Sequence, residues 1–303
     1  MRIFINFFSA LAIGLALATP ALAQDKLKVV ATFSILADMA REVGGERIAV
    51  QALVGADGDA HAFQPTPADG KAVAHAQVLI VNGLGFEGWI ERLQDSSAFK
   101  GKLIIASTRV APFGQKKTHA HGHKHSAAAD PHAWQDLSNG VLYVEAIARG
   151  LAEADPANAA FYNERAAAYK KQMEELHARL RNEFAAIPQA KRKVIASHDA
   201  FGYFARAYGI EFIAAVGASG ESEPSPRQIA TLIAQIKKQN VKALFVENMS
   251  NPKLIEQIAR DTGAVVGGTL YSDALSPPGG PADSYLKMFE HNAAMLKAGM
   301  ARN

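Results

Sequence analysis

The segment between Asp155-Pro156 and Pro188 constrains this chain most, because no glycine or proline interrupts it. Asp155 and Pro156 supply an N-cap and a first-turn proline. Tyr162, Ala166, Tyr169, Met173, Leu176, Leu180, Phe184 and Ile187 then fall at spacings of three or four and form one apolar stripe. The pattern predicts a helix over 156–187, roughly 48 Å long. A helix of that length either serves the core of one large domain or runs along two domains and fixes their relative placement.

The flanking pattern favours two. Before the helix, strands are expected at 29–33, Ile48–Val54, Val78–Val81 and 103–106. Ser34 reads as the N-cap of a helix over 35–43 closed by Gly44-Gly45, and further helices open at Thr66-Pro67 and near Gly88. After it, strands are expected at 194–197, 212–216, Ala243–Glu247 and 264–270, again separated by helical stretches. Strand and helix alternating in this way predict an α/β protein of two parallel-sheet (β/α) domains joined by a long rigid helix. The expected boundaries are 24–155, 156–187 and 188–303.

Residues 1–23 are an address rather than part of the fold. Arg2, an apolar stretch over 3–18, Pro20 and then Ala21-Leu22-Ala23 have the layout of a secretory signal peptide, with cleavage expected after Ala23. An uncleaved anchor would need about 20 unbroken apolar residues, and Pro20 with the small-residue site argues against it. Composition narrows the chemistry further. With no cysteine the chain has no disulfide, no zinc-thiolate site, no thiol nucleophile and no lipid-bearing cysteine, so soft-metal chemistry falls to its 10 histidines. A net charge of +3 without a long basic run argues against nucleic acid as a partner.

Three histidines and one carboxylate share a topological location. His61 follows the second expected strand, His132 sits in Asp130-Pro131-His132-Ala133-Trp134, and His198 directly follows 194–197. Asp273 lies just past the last expected strand. Ligands of open parallel sheets bind beyond the carboxyl ends of strands, so these four are expected to converge in the interdomain cleft. Three imidazoles and a carboxylate make a good tetrahedral shell for Zn²⁺. His75, His177 and His291 fall on expected helices and read as surface or packing residues.

Three other features compete for attention. His119, His121, His123 and His125 stand in a low-complexity loop, 118–129, without apolar periodicity. They are candidates for auxiliary, exchanging zinc sites that accept the ion from another periplasmic carrier or chaperone, or else form a solvated linker. Gly83-Leu84-Gly85-Phe86-Glu87-Gly88 matches a dinucleotide fingerprint, but Glu87 would put negative charge where pyrophosphate must sit. Ser225-Pro226 reads as a helix start, with Glu221 and Glu223 near the cleft rim.

At these residues the chain resembles the metal-binding solute-binding proteins of zinc and manganese ABC importers, cluster A-I. The similar segments are Val30-Ala31-Thr32-Phe33-Ser34-Ile35-Leu36-Ala37-Asp38, Asn82-Gly83-Leu84-Gly85-Phe86-Glu87-Gly88-Trp89, Asp130-Pro131-His132-Ala133-Trp134 and Ser197-His198-Asp199-Ala200-Phe201-Gly202-Tyr203-Phe204. The compact histidine loop and overall length look most like its AztC subgroup. The resemblance implies four metal ligands at His61, His132, His198 and Asp273. It also implies a periplasmic location and delivery to a membrane permease driven by a cytoplasmic ATPase. Members that prefer manganese are expected to carry Glu where this chain has His198, which points to zinc and agrees with the softness of imidazole. Ala60 departs from the proline found before the first ligand in many members.

The rival classes are manganese or iron uptake on the same fold and a periplasmic zinc hydrolase. A catalytic zinc usually keeps three protein ligands, an open water position and a nearby base. Four ligands would close the shell, and no H-E-x-x-H helix supplies a base. The expectation is therefore a monomeric, non-enzymatic carrier of Zn²⁺ as transported ligand.

Overall fold

The computed structural model describes residues 25–113, 129–217 and 224–303. The expected leader, the four clustered histidines, Glu221 and Glu223 lie outside the described residues. The first half builds β1 (Leu27–Phe33), α1 (Ser34–Gly44), β2 (Ile48–Val54), α2 (Pro67–His75), β3 (Val78–Val81), α3 (Ile90–Ser97) and β4 (Lys102–Ile105). A helical pair follows, α4 (Leu137–Ala154) and α5 (Ala159–Ala185). The second half builds β5 (Lys193–His198), α6 (Gly202–Tyr208), β6 (Glu211–Val216), α7 (Pro226–Gln239), β7 (Ala243–Glu247), α8 (Lys253–Thr262), β8 (Val265–Leu270) and α9 (Tyr285–Met300).

Both sheets have four strands, and all the pairings are parallel. Their orders, β2-β1-β3-β4 and β6-β5-β7-β8, are the same permutation. Each therefore reverses direction of winding at its middle pair, β1/β3 and β5/β7, and opens a crevice at the carboxyl ends there. The central strands are apolar on both faces, as sheets covered on two sides require: β3 is buried throughout and β1 at every residue but Lys28.

The long helix begins later than its sequence suggests. Pro156–Asn158 form a 3₁₀ turn, and α5 runs for 27 residues, about 40 Å. Asp155 does not cap it; its carboxylate accepts from Tyr162 Oη and Asn158 Nδ2, both at 2.7 Å. Tyr162 through Phe184 of the expected stripe are buried, while Ile187 lies beyond the helix end. Arg165 of α5 donates to the Glu42 carbonyl at the end of α1, and farther along Arg179 pairs with Glu290 of α9. The helix thus spans both halves.

Ser34 is likewise not a cap but the first residue of α1, and its Oγ accepts from Leu275 N at 3.0 Å. By contrast Thr66 and Ser225 both cap as expected, each closing a capping box with proline at the first helical position. The main core runs without a break from β1 and α1 through the α5 stripe to Phe204, Tyr285 and Phe289 in the second half. A separate, smaller cluster of Ile195, Ile236, Leu244, Ile255 and Ile258 fills the far side of the second sheet. Among the described residues, no helix is long and apolar enough to cross a membrane.

Candidate metal centre

The four residues singled out in the sequence meet between the two sheets. His198 is the last residue of β5, His61 lies in the loop after β2, Asp273 in the loop after β8, and His132 at the start of a 3₁₀ turn that precedes α4. One donor atom from each falls within 4.8 Å of all the others. His61 Nε2 is 3.1 Å from His132 Nε2 and 3.5 Å from Asp273 Oδ2. His198 Nε2 is 3.1 Å from Asp273 Oδ2, and His132 Nε2 is 3.7 Å from Asp273 Oδ1. A tetrahedral ion with bonds of 2.0–2.1 Å sets its donors about 3.3–3.4 Å apart. The observed separations bracket that edge length, so the four could hold one small cation.

The surroundings are dry. His132 and Asp273 are fully buried and His198 is nearly so, whereas His61 is partly exposed. The ring of Phe86 packs 4.5 Å from that of His61, and Trp134 lies 5.3 Å from His132. Burial works against an ionised Asp273, but the imidazoles of His198 and His132, with hydrogen bonds from His198 and His61, hold its carboxyl well below the usual range. Burial also disfavours a charged His198. The carboxylates of Glu247 and Asp273 outweigh it and push that imidazole well above its ordinary range.

Two imidazoles are fixed from behind by carboxylates that the sequence reading did not assign. Asp130 Oδ1 accepts from His132 N at 2.9 Å and sits 2.8 Å from its Nδ1. Glu247 Oε2 stands 2.7 Å from His198 Nδ1. Such partners fix the tautomer and aim the other nitrogen. The signal for the first was the Asp-x-His spacing, but that spacing is ambiguous. In Asp59-Ala60-His61 the carboxylate accepts from the backbone N of His61 and Ala62 instead. For the second the only sign was a charged residue closing an apolar strand. Among the described residues no carboxylate backs His61.

Hydrogen bonds from both halves close the site. Trp134 Nε1 and Gln135 Nε2 both donate to the Ser272 carbonyl, at 2.8 and 2.7 Å, and so seat the Asp273 loop. Asp38 of α1 accepts from Tyr285 N, the first residue of α9, at 2.8 Å. The glycine-rich loop serves the same end. Glu87 accepts from Thr32 Oγ1, Asn82 N and Gly83 N, so these donors turn inward and cradle no phosphate. Gly83 and Gly85, both at positive φ, make the turn that brings Phe86 against His61. His75, His177 and His291 stand apart from the cluster, bonded to Lys71 O, to Ser138 and Tyr208, and to Thr269 O. A cavity of about 880 Å³ lined by Phe63, Thr66, Trp89 and Arg92 carries none of the four donors.

Residues 29–299 match the family described as "ZnuA: Zinc-uptake complex component A periplasmic". The chain belongs to this family. The fold of the ZnuA family is seen in the periplasmic zinc binding protein TroA from Treponema pallidum, which is 27% identical with a TM-score of 0.82 over 91% of this chain and 99% of that one. A Mn-bound periplasmic metal binding protein from Candidatus Liberibacter asiaticus is 27% identical, with a TM-score of 0.77 over 89% of this chain and 98% of that one. Among curated relatives, the manganese-binding lipoprotein MntA of Halalkalibacterium halodurans is 32% identical over 92% of this chain and 90% of that protein. The iron ABC transporter substrate-binding lipoprotein MtsA of Streptococcus pyogenes serotype M1 is 32% identical over the same shares. As a member of the ZnuA family the chain is a metal-binding substrate-binding protein of an ABC transporter, a class that works with a membrane permease and an ATPase.

Proposed function

We propose that the mature protein captures Zn²⁺ in the periplasm through His61, His132, His198 and Asp273 and hands it to its permease, without catalysing a reaction. The observation that carries this reading is the meeting of three imidazoles and one carboxylate with donor atoms within 4.8 Å of one another, four of the separations, 3.1–3.7 Å, lying near a tetrahedral edge. Three imidazoles favour zinc, since harder ions prefer an oxygen-rich shell. Four protein donors would leave no open position for a reacting water, which argues against hydrolysis. The names of the relatives, which include manganese- and iron-binding proteins, favour a second reading in which Mn²⁺ or Fe²⁺ is the cargo.

The chain carries no cysteine to take a thioether-linked lipid, so this carrier would diffuse freely where relatives are named lipoproteins. The four histidines at 119, 121, 123 and 125 would feed the cleft, taking the ion from a periplasmic chaperone. The test is a titration of the mature apoprotein with Zn²⁺, Mn²⁺ and Fe²⁺ in competition, beside His198→Ala and Asp273→Ala. Zinc should win, and either variant should lose more than the 10–100-fold typical of an outer partner. Unchanged tight binding in either variant would sink the ligand assignment, and a manganese or iron preference would give the second reading its place.

A further inference from the structure

Glu247 closes β7, across the middle pair of the second sheet from His198 at the end of β5. Its side chain is fully buried, and among the described residues no lysine or arginine pairs with it. Both of its oxygens serve one residue. Oε1 accepts from the backbone N of His198 at 3.0 Å, and Oε2 lies 2.7 Å from Nδ1 of the same ring. The Ser197 hydroxyl accepts from Glu247 N at 3.2 Å and locks the pair in register. On the far side of the ring Nε2 faces Asp273 at 3.1 Å. The imidazole is therefore clasped at each nitrogen by a buried carboxylate.

We propose that Glu247 is a positioning residue that sets the ion preference of the centre. Standing 2.7 Å behind Nδ1, it holds the ring with Nε2 aimed at the cleft, where an incoming ion takes the place of the Nε2 proton, and so secures His198 as the third imidazole donor. The inference rests on the reading of His61, His132, His198 and Asp273 as ligands. Charge supports it as well as geometry. A buried carboxylate with no basic side chain beside it needs compensation. Asp273 and Glu247, the two fully buried carboxylates of the centre, bring two negative charges, which match one divalent cation, while Asp130 behind His132 reaches solvent.

An amide cannot replace Glu247. The backbone N–H and the ring sit at different oxygens of Glu247, so an amide that keeps its oxygen on the N–H turns its NH₂ to Nδ1 and selects the tautomer whose Nε2–H points at the ion. Losing one imidazole should hurt zinc more than manganese, which tolerates water and carboxylate in its place.

The test is chelator-buffered titration of wild type, E247Q and E247D with Zn²⁺ and Mn²⁺, and absorption spectra of the Co²⁺ forms. E247Q should lose about 10–100-fold in zinc affinity and less in manganese affinity, with Co²⁺ bands weakened as tetrahedral coordination is lost. E247D, which keeps the charge on a shorter arm, should fall between, and it carries the test alone if E247Q fails to fold by circular dichroism. Equal losses for both metals, or none, would overturn the inference. His198→Ala separates the two failures. If it binds zinc like wild type, the ligand reading itself is wrong; if it collapses while E247Q keeps the wild-type preference, only the role of Glu247 falls.

Discussion

Asp57 and Asn248, 191 residues apart, meet across the cleft: Asn248 Nδ2 donates to Asp57 Oδ1 at 2.8 Å. Asp57 N also donates to the Leu275 carbonyl at 3.0 Å, two residues beyond Asp273. The loop that carries His61 is thus pinned to the second half at a point four residues before the imidazole.

Loosening that clasp should speed release of the ion. Asn248→Ala removes the bond to Asp57 and a longer one from the same Nδ2 to the Ala274 carbonyl at 3.3 Å, about 1–2 kcal/mol together, so the dissociation rate should rise about 5–30-fold. Stopped-flow capture of the released metal by excess chelator would measure it. A rate equal to wild type would mean that the clasp does not hold the site closed.

Metal binding should expel protons. Without metal, Asp273 is held ionised while His198 is held protonated at neutral pH by Glu247 and Asp273 against the cost of its burial. The ion must displace at least that proton, so affinity should rise about tenfold per pH unit near neutrality. Calorimetry in buffers of different ionisation enthalpy should count one or more protons released. A buffer-independent heat would contradict this.

Asp38 should make the fold less stable as pH rises. Burial raises its carboxyl from 3.8 to about 6, although the bond from Tyr285 N pulls the other way. The folded state therefore binds the proton more tightly, and stability is lost as pH climbs from about 4 to 6. Asp38→Asn keeps an acceptor for Tyr285 but has no charge to bury. It should match wild type near pH 4 and exceed it by on the order of 2–3 kcal/mol above pH 6. Thermal denaturation of both proteins across that range is the check.

Gly140 of α4 leaves no room for a methyl group, since a Cβ there would lie 2.6 Å from Tyr285 Oη. That hydroxyl donates to the Trp134 carbonyl at 2.5 Å, and Trp134 in turn seats Ser272 beside Asp273. Gly140→Ala should cost about 1–3 kcal/mol and also weaken metal binding. A variant that lost stability but bound metal normally would break the link from α4 to the site.

What the sequence conveyed depended on whether a residue's local role was its only role. Strands Val78–Val81 and Ala243–Glu247 and the caps Thr66 and Ser225 were legible because their periodicity and turn chemistry act within a few residues. Ser34 and Asp155 looked like caps, but their side chains serve Leu275 N, and Tyr162 with Asn158, instead. The helix α4 carries Gly140 and Gly150, residues that in sequence look like breakers. Both in fact permit close approach, the first to Tyr285 and the second to Ile104. The four clustered residues were visible because strand ends in open sheets announce a crevice. Glu247 was not, because only strand register brings it behind His198, and Asp130 was not, because the same Asp-x-His spacing at Asp59 serves backbone N–H groups instead of a ring.

The continuity of the main core has a consequence for how the molecule comes into being. Phe204 of α6 stacks on Phe289 of α9, and Tyr285 fills the space above Gly140 from the opposite end of the chain. A nascent first half has its sheet but not the aromatic plugs that close its core. It must wait, with apolar surface uncovered, until the last helix is delivered. The two halves should therefore melt as a single cooperative unit, and neither should be stable when expressed alone.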